Sequence, residues 1–155
     1  MMSSTSASSG DGAGNPKVQV FADTDGEMLE GTPGLSEDFH FHVYFDETTR
    51  DSTLQIRERL KREAEFGFQM PPVRERPVGP HQWPIWSVWV DRANFTPAVL
   101  WMMHNHGPHS VLVHPNIDDG YPDHTDRAMW LGEPRPLKLD GMGRRHEERQ
   151  QSGAS

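Results

Sequence analysis

The feature that most constrains this chain is a strict alternation over residues 39–45, Phe-His-Phe-His-Val-Tyr-Phe. A β-strand points successive side chains to opposite faces of its sheet, so this segment has one apolar face and one polar face. The two faces carry, in turn, Phe39, Phe41, Val43 and Phe45, and then His40, His42 and Tyr44. The alternation therefore predicts a sheet with a hydrophobic core on one side and a histidine-bearing surface on the other.

Composition divides the chain into a central domain and two tails. Residues 1–34 are rich in Ser, Gly, Asp and Pro, and residues 141–155 are rich in Gly, Arg, Glu, Gln and Ser. Such segments bury too little apolar surface to offset the entropy lost on ordering. We therefore predict disordered tails over 1–34 and 141–155. The remaining residues 35–140 are enough for one domain with one hydrophobic core.

The bulk chemistry of the chain excludes several functional classes. The formal net charge of −8 argues against a nucleic-acid partner, because phosphates select a basic surface. The absence of cysteine excludes disulfides, Cys-ligated metals and thiol catalysis, and leaves histidines and carboxylates for any metal. No apolar run reaches the roughly 18 residues of a membrane span, and the N-terminus lacks a secretory signal pattern. We therefore expect a cytoplasmic protein.

The order of the predicted elements is β-α-β-β-α-β. Ser52 and Gln55 have the spacing of a capping box, and Thr96 and Pro97 are typical of a helix start. This order is typical of an α+β ferredoxin-like domain, a four-stranded antiparallel sheet of order 4-1-3-2 with two helices on one face. Strands one and three are expected to run parallel. The strands are predicted over 39–45, 73–78, 86–90 and 110–113, and the helices over 52–67 and 97–103.

Four histidines are predicted to meet at one edge of that sheet. His40 and His42 lie early in the first strand, His81 lies just before the third, and His114 directly follows the fourth. Parallel first and third strands would bring these positions together. Because imidazole is the commonest protein metal ligand, the arrangement predicts a metal site. The five tryptophans have two open interpretations, as core residues or as the wall of a pocket for a planar ring.

The remaining histidines have structural interpretations. His104 and His106 end the second predicted helix, where a histidine interacts favourably with the helix dipole. His109 is either a loop residue or a group that supports the site, and His146 in the charged C-terminal segment is predicted to be inert.

Five short motifs resemble those of the DOPA 4,5-dioxygenase family, in the same order and over about residues 40–140. They are FHFHVYFD at 39–46, GPH at 79–81, SVLVHP at 110–115, DHT at 123–125 and WLG at 130–132. The resemblance implies a ferredoxin-like fold and a mononuclear non-haem Fe(II). It also implies an oxidoreductase that uses O2 for extradiol cleavage of a catechol, with L-DOPA as the named substrate.

The resemblance gives the histidines roles. A catechol chelates iron through two oxygens, so the metal must keep open positions, as facial-triad sites do. Three protein ligands then suffice, and we predict His42, His81 and His114. Candidates to replace one of them are His40 and a carboxylate from Asp46, Asp123 or Glu133.

The predicted catalytic group is His124, which would transfer a proton to the bound dioxygen or from the catechol. His40 and Tyr44 complete the predicted catalytic set, with Tyr44 orienting the substrate from the same face as His42. Zinc in the same ligands would be inert toward oxygen, because zinc has no redox chemistry.

Other functional classes remain open, since ferredoxin-like folds host many activities. One is a non-catalytic module that binds a structural zinc or a small molecule, and that forms a homodimer through its open sheet. Another is a metal-dependent hydrolase, which needs a metal-bound water and no oxygen. The expected partners are a small catecholic substrate and a second copy of the chain, with no nucleic acid and no membrane.

Overall fold

The computed structural model describes residues 18–20, 38–117 and 119–153. The rest of the predicted N-terminal tail lies outside the described residues. In chain order the elements are β1 (Val18–Val20), β2 (Asp38–Tyr44), α1 (Arg50–Glu63), β3 (Phe68–Met70), β4 (Ile85–Asp91), α2 (Arg92–Asn105), β5 (Val111–Pro115), α3 (Gly120–His124), β6 (Met129–Leu131) and α4 (Asp140–Gln151).

The strands form one six-stranded sheet of order β1-β3-β4-β2-β5-β6. Its four middle strands have the predicted order 4-1-3-2, which confirms the α+β ferredoxin-like core. Among the described strands, β1 and β3 pair in parallel and all the other neighbours are antiparallel. The sheet therefore has two strands more than predicted, one added at each edge.

The prediction that strands one and three run parallel was wrong. In the structure β2 and β4 are antiparallel, with Asp38 opposite Asp91 and Tyr44 opposite Ile85. The reason is connectivity. The crossover through α1 keeps the direction of the chain from β2 to β3, and the connection from β3 to β4 then reverses it. The prediction that the histidines meet at one edge of the sheet relied on those parallel strands, so its reasoning does not hold.

The helices α1 and α2 pack on the face that carries the apolar half of the alternation. Phe41 and Val43 from β2 lie there with Leu60 from α1 and Met102 from α2, and none of the four is more than 1% exposed. This burial confirms the predicted core face with two helices. The opposite face carries a smaller cluster around Tyr44 and a row of histidines.

Several element boundaries differ from the predictions. The helix α1 begins at Arg50, and Ser52 makes no capping box because its hydroxyl donates to the carbonyl of Thr49. The helix α2 begins at Arg92, since Asp91 caps it by accepting from the amide of Asn94, and Pro97 lies inside the helix.

The strand predicted at 73–78 was also misplaced. The second core strand is the short segment Phe68–Met70, and only an isolated bridge between Arg74 and Ile85 remains of the predicted one. Pro77 cannot donate to a ladder, which limits pairing there.

Two elements lie in the segments that were predicted to be disordered tails. The strand β1 pairs with β3, and the helix α4 occupies most of residues 141–155. Composition missed α4 because no residue of this helix is buried, so it has no apolar stripe. The extent of the folded domain, 35–140, stays a prediction. Within the described residues no helix is long and apolar enough to cross a membrane.

Candidate metal centre

The polar face of the sheet is built by alternation on three neighbouring strands. Strand β2 contributes Asp38, His40, His42 and Tyr44 to this face, as the period of two dictates. In register, His114 of β5 lies opposite His40. On the other side, Ser87 and Trp89 of β4 lie opposite His42 and His40.

The centre of the face is a direct contact between two buried imidazoles. The Nε2 atoms of His42 and His114 lie 3.0 Å apart. The Nδ1 of His42 contacts the hydroxyl of Ser87 at 2.7 Å, and the Nδ1 of His114 lies 2.7 Å from the carbonyl oxygen of Pro115. Because a carbonyl only accepts, His114 carries its proton on Nδ1 and presents the lone pair of Nε2 to the site.

Two further histidines reach this centre from outside the middle strands. His81, in the loop before β4, has its Nδ1 2.5 Å from the hydroxyl of Tyr44, and its ring centre lies 4.4 Å from that of His42. His124, the last residue of α3, donates from Nδ1 to the carbonyl of Gly120 at 2.7 Å, and its ring centre lies 4.0 Å from that of His114. Both therefore have Nε2 as the remaining nitrogen.

The fifth histidine is held differently. The Nε2 of His40 lies 3.2 Å from the carboxylate of Asp38, and its ring stacks on Trp89 with centres 5.0 Å apart. Asp38 is completely buried. A carboxylate that receives the second N–H of a histidine is the usual support of a metal ligand, and it leaves Nδ1 of His40 as the remaining nitrogen.

The ligand atoms form two overlapping trios, each with all of its atoms within 4.8 Å of one another. One trio is His40, His42 and His114, and the other is His42, His81 and His124. The predicted set of His42, His81 and His114 is divided between them, with His42 in both. Two nitrogens that share an ion at about 2.1 Å stand roughly 3.0–3.4 Å apart, so the spacing of His42 and His114 fits a common metal.

Burial favours the neutral form of four of these imidazoles. Burial, followed by the neighbouring histidines, lowers the pKa of His42 and of His114 well below 6.5. Burial lowers the pKa of His81 to about 3, and it also lowers the pKa of His124. A neutral imidazole is the form that binds a metal, so these four histidines do not need to lose protons at neutral pH before they bind one.

Burial raises the pKa of Tyr44, so its hydroxyl stays protonated. Tyr44 is 1% exposed, and its hydroxyl is in hydrogen-bond contact with Nδ1 of His81.

The predicted carboxylate candidates lie elsewhere. Asp46 and Glu133 are exposed, and Asp46 accepts from the amides of Thr48 and Thr49 at the start of α1. Asp123 is buried, but its oxygens accept from the backbone of Ile117 and the guanidinium of Arg127. None of the three belongs to either trio.

Two supporting residues were missed by the sequence argument, although the signal for them was present. Asp38 lies two residues before His40, so it shares the face of the histidines. Ser87 lies on the polar face of β4 by the same alternation. The convergence is thus near the middle of the sheet face and not at an edge, with His81 brought in by the loop that precedes β4.

The histidines at the end of α2 belong to neither trio. His104 donates to the carbonyl of Leu100, and His106 donates to that of His109. His109 is buried against the hydroxyl of Thr53.

Comparison with known proteins assigns the chain to a family. The sequence profile of the Dopa 4,5-dioxygenase family matches residues 39–141. A DOPA 4,5-dioxygenase of Amanita muscaria is 29% identical over 119 residues, which cover 72% of this chain and 52% of that protein. An uncharacterized 21.2 kDa protein of Botryotinia fuckeliana is 32% identical over 136 residues, which cover 75% of this chain and 69% of that protein. The chain therefore spans about half the length of the Amanita relative.

A solved structure supports the same assignment. The crystal structure of a candidate dioxygenase from Nostoc punctiforme aligns with a TM-score of 0.65 and 34% identity, over 71% of this chain and 93% of that one. The five clustered histidines all lie within the range matched by the family profile. The chain belongs to the Dopa 4,5-dioxygenase family.

Proposed function

We propose that the protein is a non-haem iron dioxygenase that performs extradiol cleavage of a catechol, with 4,5-cleavage of L-DOPA as the leading reaction and O2 as co-substrate. The observation that carries the proposal is the cluster of five histidines over one sheet face, four of which have Nδ1 held by a protein group and Nε2 left for a ligand. Family membership supports the same chemistry.

The residues proposed to hold the iron are His42, His81 and His114, with His40 as the next candidate. His42 belongs to both trios, and its Nε2 already lies 3.0 Å from that of His114. Iron(II) bound there would polarise the catechol oxygens and mediate electron transfer from the catechol to O2, so that the ring is oxidised and both oxygen atoms enter the product. An all-nitrogen set suits iron, copper, zinc and nickel, so the donor atoms fit the proposed metal.

His124 is proposed to move the proton. Its Nδ1–H is fixed by the carbonyl of Gly120, so Nε2 has the lone pair of a base. Burial lowers its pKa, which keeps this lone pair free at neutral pH. A catechol hydroxyl within hydrogen-bond reach of Nε2 would give up its proton there. Tyr44 is then better assigned to orienting His81 than to touching the substrate.

The choice of an amino-acid catechol is supported by a cation beside the site. The guanidinium of Arg135 lies over the ring of Trp83, 4.8 Å from its centre, and its Nε donates to the hydroxyl of Ser110 at 3.3 Å. Trp83 in turn contacts Tyr44, whose hydroxyl reaches His81. An arginine presented on an aromatic ring suits a carboxylate at the far end of an aromatic substrate.

The Arg135 assignment predicts a difference between two catechols. Replacing Arg135 with Met should raise KM for L-DOPA by about 10-fold or more, the cost of a lost charged hydrogen bond. The KM for dopamine, which lacks the carboxylate, should change little. An equal change for both substrates would contradict the assignment.

The proposed function is tested by oxygen uptake. Protein loaded anaerobically with Fe(II) is mixed with L-DOPA in aerated buffer, and dissolved oxygen and visible absorbance are followed together. We expect one O2 consumed per catechol and a yellow semialdehyde product. Zinc-loaded protein is the control and should consume none. No uptake by the iron-loaded protein with any catechol offered would contradict the dioxygenase proposal.

The second candidate function is a non-catalytic module that binds a metal or a small molecule. Two trios of buried or half-buried histidines also fit a zinc ion that serves only structure. Tight zinc retention without oxygen uptake would favour this candidate. A homodimer and a cytoplasmic location stay predictions, and neither is needed for the chemistry above.

A further inference from the structure

The C-terminal helix α4 contacts the N-terminus of α3, the helix that ends at His124. The Nδ1–H of His146 donates to the carboxylate of Asp119 at 2.6 Å, and the guanidinium of Arg149 lies 3.4 Å from its other oxygen. Asp119 is the N-cap of α3 and accepts from the amide of Tyr121 at 3.1 Å. One carboxylate therefore both caps α3 and ties it to α4.

Close packing adds to this polar contact. The ring of Tyr121 stacks on His146, with centres 5.2 Å apart and planes 24° apart. A Cβ on Gly120 would crowd the side chain of Met142 at 3.2 Å, whereas one on Gly143 would make an ordinary contact with the ring of Tyr121 at 3.6 Å. The two helices thus also contact each other through Tyr121 and Met142.

The helix α3 needs such support. It has five residues, and a helix this short does not persist by itself in water. Its last residue is His124, whose Nδ1 is bound to Gly120 at the first position of the same helix. The place of the His124 ring beside His114 therefore follows the placement of α3 as a unit.

Within the described residues, the helix α4 lies at the surface. None of its residues is buried, so it contributes nothing to the hydrophobic core. The range matched by the family profile ends at residue 141, the second residue of α4, so His146 and Arg149 lie outside it.

We propose that α4 is a positioning element of the histidine site, in which His146 acts through Asp119 to hold α3 so that His124 faces His114 and His42. His146 is thus a positioning residue and touches neither metal nor substrate. The activity part of the test below rests on the proposed function, whereas the structural part does not.

The structural test is proton NMR of the full-length, metal-free protein. The rings of His114 and His124 should give a strong nuclear Overhauser effect, since their centres are 4.0 Å apart. We expect H146A to lose at least half of this signal while the amide resonances of β2 and β5 stay in place. H146N, which keeps a side-chain donor for Asp119, should recover most of it. The matched control is E147A, which changes an exposed neighbour on the same helix.

The activity test uses the iron-loaded protein. A small displacement of a catalytic group costs up to about 100-fold in rate, so H146A should lower kcat by roughly 10- to 100-fold with little change in KM. An unchanged His114–His124 signal in H146A, or no such signal in the wild type, would overturn the proposal. If the wild type consumes no oxygen, the proposed function fails and the NMR result still decides the role of α4.

Discussion

The five histidines of the cluster are held in two different ways. His40, His42 and His114 lie on two central strands, where hydrogen-bond register fixes their spacing. His81 and His124 reach the same point from a loop and from the end of a five-residue helix. The strand-borne group is placed by backbone pairing within the sheet, whereas His81 and His124 are placed by side-chain and loop contacts, such as those of Tyr44 with His81 and of Gly120 with His124. The strand-borne histidines are therefore suited to binding a metal. His81 and His124, which we call the appended group, are suited to adjusting the chemistry beside that metal.

The largest effect is expected at His42, because it belongs to both trios. H42A should lower metal affinity by well over 100-fold, more than the loss of a supporting partner costs, and should abolish oxygen uptake. Metal content after dialysis and an oxygen electrode give the two readouts. The matched control is H104A at the exposed end of α2, which should retain both. Full metal retention by H42A would contradict the assignment of metal binding to the strand-borne histidines.

His124 should show a large effect of a different kind. H124A should keep the metal and slow turnover by roughly 10²- to 10⁴-fold, the usual contribution of an acid–base group. Single-turnover kinetics and metal analysis on one preparation separate these effects. Loss of the metal in H124A would instead make His124 a ligand, with the trio of His42, His81 and His124 as the binding set.

A smaller effect is expected from the group behind His42. S87A removes the hydroxyl that contacts Nδ1 of His42 and should weaken metal binding by about 10- to 100-fold. Competition with a chromogenic chelator measures the change. S52A, at a serine of α1 away from the cluster, is the control. Wild-type affinity in S87A would mean that the sheet alone fixes the ring of His42.

The smallest effect is on the stability of the metal-free protein. Burial lowers the pKa of His81 to about 3, whereas in the unfolded chain it lies near 6.5. Between these values the unfolded state binds the extra proton, so the free energy of unfolding rises as pH rises and levels off near pH 7. His81 alone should contribute about 2 kcal/mol between pH 5 and 7 at 1.4 kcal/mol per unit. Urea unfolding in a chelator, compared with H81Q, measures it.

Much of the strand-borne group was predictable from sequence, because it depends on a period of two. The alternation over residues 39–45 predicted which side chains face the core, and the element order predicted the order of the four middle strands. The direction of β4 was predicted wrongly, although the connections alone determine it. The convergence of His40, His42 and His114 does not need that direction, since β2 and β5 are neighbours either way.

The appended group was less predictable for a physical reason. The position of His81 depends on how the loop before β4 folds, and that of His124 depends on packing between two polar helices. Neither is encoded in a local periodicity. The helix α4 has no apolar face, so composition indicated a tail, and the contact of His146 with Asp119 joins residues 27 positions apart.

The central claim is that one metal ion binds within the histidine cluster through His42. The most direct measurement is a crystal structure of the protein loaded anaerobically with Fe(II), with anomalous data collected at the iron edge. The account predicts one anomalous peak at about 2.0–2.2 Å from Nε2 of His42 and within the same distance of two further imidazole nitrogens of the cluster. A peak bound elsewhere on the chain, with His42 unligated, would contradict it.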